Sequence, residues 1–318
     1  MSYIEEFERV IFGYAEDVQR YLSGDKSDYV YRAGHSEDSG TFDKNYANRM
    51  RLCYALYYGV CEVPDKRALV RELFIEELKD RESNSFQGIG DNLETLTSLL
   101  LELGEPPESE LFMRAKNANF DCACGYEPRI LKFTPLGEYS LYDCISTLSE
   151  LGENELVFKL TDEFKSGELN LDGLRELKAI AKRYTERLCD EEFAVTEIYK
   201  IFQSSPESFD MTGAFHAAGD YAELLLGKGE IENALAVFNG HKETPAQFKR
   251  KFYMLGARLI ADGAEHPERI WADILPHIES DLKTNMVAPI NRGIILAAAE
   301  RSGDVKSLKR LRKYFDKR

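Results

Sequence analysis

Apolar residues recur every three or four positions along almost the whole chain. In DNLETLTSLLLELG, Leu93, Leu96, Leu99, Leu100 and Leu103 form one stripe. In LYDCISTLSELG it is Leu141, Cys144, Ile145, Leu148 and Leu151, and in KFYMLGARLIADG it is Phe252, Met254, Leu255, Leu259 and Ile260. This is the period of an α-helix with one face against a core. The period-two alternation of strands is scarce, so the pattern predicts an all-α chain. The stripes break at Gly24, Gly104, Gly152, Gly229, Gly263 and Gly303. Glycine is the residue most at ease in the left-handed conformation that follows a helix end. Two further breaks, CEVPDK and LCDEEF, lack glycine. Helix starts are signalled at Ser205-Pro206 and at Thr244-Pro245-Ala246-Gln247. In the second, Thr stands as N-cap, Pro at the first helical position and Gln three residues after the cap.

The breaks fall near residues 24, 62, 104, 152, 190, 229, 263 and 303, a spacing of roughly forty residues, as in helical repeats. One helix pair leaves apolar surface uncovered, whereas stacked pairs share a continuous core. The expected fold is an irregular α-solenoid of stacked antiparallel helix pairs, about seven or eight of them, a TPR-like or HEAT-like superhelix. A plain helical globule is the alternative. The clearest unit is AAGDYAELLLGKGEIENALAVF, residues 217–238, with Gly229 at the turn and Ile231, Ala234, Leu235 and Phe238 after it. Here the chain resembles the tetratricopeptide-repeat family, in which a small residue such as Ala234 lets two helices approach closely. ERSGDVKSLKRL (300–311) echoes the unit, with Leu308 where a small residue is expected, and the upstream pairs keep only the glycine and the leucines. The resemblance implies an array of helix pairs with a concave groove for a peptide or protein.

The 318 residues are 43% hydrophobic and 31% charged, the composition of a soluble globular chain of about two domains. The expected organisation is a helical region over 1–121 with a polar loop at 23–46, an irregular Cys/Gly/Pro-containing connection over 122–138, and a helix-pair array over 139–318. A single continuous domain over 1–318 is the other possibility. The net charge of −15 repels phosphate backbones and anionic lipid heads. It disfavours nucleic acid and membrane as partners and favours a basic protein or peptide, although the same charge also serves solubility alone. The last stretch, VKSLKRLRKYFDKR, runs against this trend. Val305, Leu308, Leu311 and Tyr314 or Phe315 recur at helical spacing among Lys and Arg, as in a solvated terminal helix with cations at its negative end. The acidic opening MSYIEEFERV does not read as a secretory leader. The apolar runs Leu99–Leu101 and Ile294–Ala299 fall short of the ~20 residues that span a bilayer. The expected location is cytoplasmic, with the six cysteines reduced.

Besides the polar segment 23–46, a second stretch stands outside the helical pattern: NANFDCACGYEPR, residues 117–129, with its continuation to 138. Cys122 and Cys124 supply two potential zinc ligands, but a second pair, as in CxxC…CxxC, is missing. Asn117, Asn119 and Asp121 mimic the start of a calcium loop, yet position six is Cys122 and position twelve is Pro128. Arg129 is close in sequence but no histidine is, and the acids Asp121 and Glu127 disfavour a thiolate. The plain reading is a turn made by Gly125 and Pro128, with Phe120 and Tyr126 in the core. The functional reading is a binding loop using Phe120, Asp121, Cys122, Cys124, Gly125, Tyr126, Glu127 and Arg129. Elsewhere, GKGEIE lacks the spacing and the Lys-Ser/Thr pair of a phosphate loop. The pair Asp210 and His216, six residues apart, is off one helix face. No cofactor is expected. The expected function is non-catalytic binding of a protein or peptide, in a sharper form the neutralisation of a basic protein by an immunity-type partner. The alternative is an enzyme or zinc protein using Cys122 and Cys124.

Overall fold

The structure is a computed structural model that describes residues 1–36, 40–84, 88–104, 108–240, 249–284, 286–287 and 289–316. The expected start at Thr244–Gln247 lies outside the described residues. The chain divides into two compact units, Met1–Gly167 and Glu168–Arg318. Among the described residues, no helix is long and apolar enough to cross a membrane.

The first unit contains α1 (Tyr3–Gly13), α2 (Ala15–Leu22), β1 (Ala33–Ser36), β2 (Gly40–Asp43), α3 (Tyr46–Tyr57), α4 (Lys66–Ser83), α5 (Asp91–Glu102), α6 (Ser109–Lys116), α7 (Phe120–Gly125), a 3-10 turn at Leu136–Glu138, α8 (Leu141–Glu150) and α9 (Asn154–Ser166). The helical expectation holds except in the polar segment, where an antiparallel hairpin pairs Ala33 with Asp43, Gly34 with Phe42, His35 with Thr41 and Ser36 with Gly40. A Cβ at Gly34 would lie 2.7 Å from the Phe42 ring, so the glycine gives that ring its place across the ladder. Residues 122–125, expected within an irregular connection, form the end of α7.

A fully buried Arg49 ties the hairpin to the helices. Its Nη1 pairs with Asp43 Oδ2 at 2.5 Å and its Nη2 with Glu77 Oε2 at 2.9 Å, and all three side chains have no exposed surface. Arg81 Nε meets the other Glu77 oxygen at 3.3 Å, and Arg81 Nη2 pairs with Asp80. Asp43 Oδ1 also accepts from the backbone N–H groups of Arg32 and Asn45, at 2.9 and 3.0 Å. Buried charges persist only when paired and hydrogen-bonded in this way.

The second unit contains α10 (Leu171–Ala181), α11 (Leu188–Ser204), a 3-10 turn at Pro206–Ser208, α12 (Met211–Gly227), α13 (Ile231–Gly240), α14 (Lys249–Asp262), α15 (Pro267–Lys283), α16 (Arg292–Arg301) and α17 (Val305–Phe315). Helices adjacent in the chain pack on one another from α10 to α17, and α14 also meets α12 and α16. The glycines expected to end helices all have positive φ, among them Gly152 at 78° and Gly229 at 77°. At Gly229 the N–H donates to Leu226 O at 3.0 Å and the next N–H to Leu225 O at 2.9 Å, closing the last turn of α12. Beyond it, Ala234 and Phe238 are buried. Phe238 stacks on Phe252 with ring centroids 4.5 Å apart. A Cβ at Gly256 would lie 2.6 Å from Ile274 and 3.2 Å from Phe238, so this glycine sets the close approach of α14 to both neighbours.

Ser205-Pro206 begins a single 3-10 turn, and the helix that follows is capped by Asp210, whose Oδ1 accepts from the Gly213 N–H at 2.6 Å. In α17, Leu311 and Phe315 are buried but Val305 is exposed, because Val305 is the first residue after the N-cap, Asp304. The Asp304 carboxyl is held down to about 2 by Ser307, whose backbone N–H lies 3.0 Å from it, and Trp271 Nε1 donates to it at 3.1 Å.

Candidate functional site

The cysteine stretch folds as a strap rather than an open loop. Asn119 caps α7 by accepting from the Cys122 N–H at 2.9 Å. Its amide nitrogen donates to Arg81 O at 3.2 Å and to Gly88 O at 3.1 Å, fastening α7 to the junction between α4 and α5. Cys122 is buried, with Sγ 3.6 Å from Gly88 O. Tyr126 is buried too. Its hydroxyl shares a hydrogen bond with Thr97 Oγ1 at 2.8 Å, and its carbonyl accepts from Lys116 Nζ at 2.8 Å. A Cβ at Gly125 would lie 3.1 Å from Ile89. Farther on, the Leu131 N–H donates to Ser98 Oγ at 2.9 Å.

Phe120 does not enter the core: it is 69% exposed. Cys122 and Tyr126 are four residues apart and share the inward face, whereas a residue two positions from Cys122 points the other way. Asp121, Cys124, Gly125, Glu127 and Arg129 are exposed as well, and Arg129 meets Glu94 at 3.2 Å. Of the eight expected binding residues, six therefore reach solvent, while Cys122 and Tyr126 hold the strap down. Burial pushes the Cys122 thiol up and takes the Tyr126 phenol to about 12. Burial likewise carries Cys144 to about 12. All six cysteines are free. Among the described residues, no group of three His, Cys, Asp or Glu is placed to hold a metal.

A second site lies in the other unit. A cavity of about 430 Å³ opens between α10, α11 and α12, and a second of about 310 Å³ continues along the same helices, with Val195 and Asp220 lining both. At their junction Asp220 receives two ammonium groups. Lys178 pairs with one carboxylate oxygen, and Lys251 Nζ lies 2.5 Å from the other. Burial pushes the Asp220 carboxyl up, but the two lysines outweigh it and hold the carboxyl below its ordinary value. His216 lines the larger cavity. Burial first and then Lys251 lower its pKa, against an opposing pull from Asp220, so the imidazole is neutral at pH 7.

Asp210 also lines this cavity. The spacing of Asp210 and His216 argued against one helix face, and the two meet at one cavity because Asp210 precedes the helix as its cap. The lysine pair has no local signature. Lys178 and Asp220 are 42 residues apart, Asp220 and Lys251 31, and no local pattern links residues on three different helices.

Fold and site define a mostly helical protein with sequential helix pairs, a small hairpin and an open cavity that carries two cations on one anion. Comparison with protein-family models, curated proteins and solved structures finds no match to the chain.

Proposed function

We propose that the protein is a non-catalytic binding module, a tetratricopeptide-like α-solenoid whose helix pairs hold another protein or a peptide. The observation that carries this reading is the pair of adjoining cavities along α10, α11 and α12, a furrow laid across consecutive helices of an array. The junction at Gly229, with Ala234 and Phe238 buried behind it, supports the tetratricopeptide likeness. The charge of −15 favours a basic partner, as an immunity-type neutraliser would have. The exposed Glu223 lines the smaller cavity, where a basic chain would meet it, beside Glu191 and Glu192 in their pairs with Lys182 and Lys228. Chemistry at Cys122 and Cys124 has less support, since the Cys122 thiol is buried and its pKa is raised.

The test is recovery of tagged protein from native lysate at low and moderate salt, with Glu223→Lys alongside. The expected outcome is one recurring stoichiometric basic protein, weakened by salt and by the substitution. Recovery of no partner at either salt, or of one indifferent to both changes, removes the reading.

A further inference from the structure

Lys178 and Asp220 line the larger cavity, with Lys251 behind them on the same aspartate, and we propose that this cavity binds a monocarboxylate with an apolar body. The cavity is part of the furrow in the protein-binding reading above, but the proposal concerns a small molecule and does not need a protein there. Lys178 and Lys251 against Asp220 leave one positive charge in surplus, with all three side chains at most a quarter exposed. The other charged groups around the cavity have partners of their own. Arg175 on the rim pairs with Asp172 at 3.0 Å, both open to water. Asp210 is turned onto the N-terminus of α12, where the Gly213 N–H and the helix dipole hold it. In the adjoining cavity Glu192 pairs with Lys228 at 2.7 Å and Glu191 with Lys182 at 3.8 Å, and Glu223 is exposed, where water screens it.

Two ammonium groups that share one carboxylate are only partly neutralised, and an incoming carboxylate completes the balance with charge-assisted hydrogen bonds. Lys178 lines the cavity and is within the reach of a ligand there. Val195, Ile198, Phe209 and Ala217 line it as well, so the ligand's remaining body meets apolar walls. A volume of about 430 Å³ suits a small molecule. The local surplus of one cation at Asp220 suits a monoanion, and the apolar walls favour a carboxylate with a hydrocarbon body over phosphate.

The experiment is isothermal titration calorimetry of the full chain with hexanoate, phenylacetate, their neutral amides and inorganic phosphate. A carboxylate is expected to bind saturably, and its amide about tenfold more weakly or worse. Lys178→Gln should weaken the carboxylate by about tenfold. Asp220→Asn raises the surplus on the floor by one charge and should tighten it, a sign that a purely structural role for the triad does not give. Circular dichroism checks that each variant folds, and Lys251→Gln replaces Lys178→Gln if the latter does not. The proposal is overturned if neither carboxylate saturates, if the amides bind equally, if phosphate binds more tightly, or if the lysine variants leave carboxylate affinity unchanged. Weaker carboxylate binding by folded Asp220→Asn overturns it too. Protein capture from lysate is read separately, so either reading can fail while the other stands.

Discussion

Arg49 with Glu77 and Lys178 with Asp220 are both ion pairs between helices, and they have opposite surroundings. The first lies in a closed network: Arg49, Asp43 and Glu77 have no exposed surface, and Asn92 adds a donor 3.4 Å from Glu77. The second faces an open cavity, with Lys178 and Asp220 still 19% and 14% exposed. A closed network has no room for a ligand, so its charges serve the fold by joining β2, α3 and α4. An open one with unequal numbers of cations and anions keeps a charge that a ligand can answer. Burial depth and the count of charges, more than the presence of an ion pair, separate the two roles.

The contrast is most exposed to failure at Arg49. Arg49→Met should strand Asp43 without a cation, leave Glu77 to Arg81 alone, and cost about 3–5 kcal/mol, read from urea unfolding. Asp220→Asn should cost less, about 1–3 kcal/mol, because water reaches the two lysines. Equal losses would erase the distinction between a closed and an open network. A titration sharpens it further. The His216 pKa lies below its ordinary 6.5, so the unfolded chain takes up a proton first as pH falls, and stability should decline from about pH 6.5 downward until the folded imidazole also titrates. His216→Gln should flatten that decline in thermal melts. The Asp220 contribution acts lower. Its carboxyl is held below 3.8, so its stabilisation is present above that value and is lost as pH falls through the folded pKa. The guanidinium of Arg49 stays charged throughout. The smallest effect belongs to the exposed pair of Arg129 and Glu94, where Arg129→Ala should change stability by less than about 1 kcal/mol. A larger loss in urea unfolding would show that the strap depends on this pair as well as on its buried anchors.

The strap shows how far the sequence carried and where it stopped. NANFDCACGYEPR broke the helical rhythm, and Tyr126 was legible as a core aromatic. That Asn119 would cap a six-residue helix and bridge to Arg81 and Gly88 was not, because those partners lie about thirty to forty residues away in the chain. The polar segment 23–46 carried glycines and acids that read as a loop. Its hairpin depends on Asp43 meeting Arg49 and on the fit of Phe42 over Gly34, contacts that short-range periodicity does not encode.

By itself the sequence determined where helices run and where they end. Apolar spacing reflects the pitch of the helix, and the positive φ at Gly152 and Gly229 reflects what a missing Cβ permits. Both are local properties, fixed by a few neighbouring residues. Only the tertiary structure decided which charges would be sealed and which would face a cavity. Arg49 and Lys178 are equally unremarkable in the sequence. Their roles follow from what packs around them: Asp43 and Glu77 close over the arginine, while three helices leave a cavity of about 430 Å³ beside the lysine. Electrostatic interaction depends on distance and on access to water, and both are set by residues far apart along the chain.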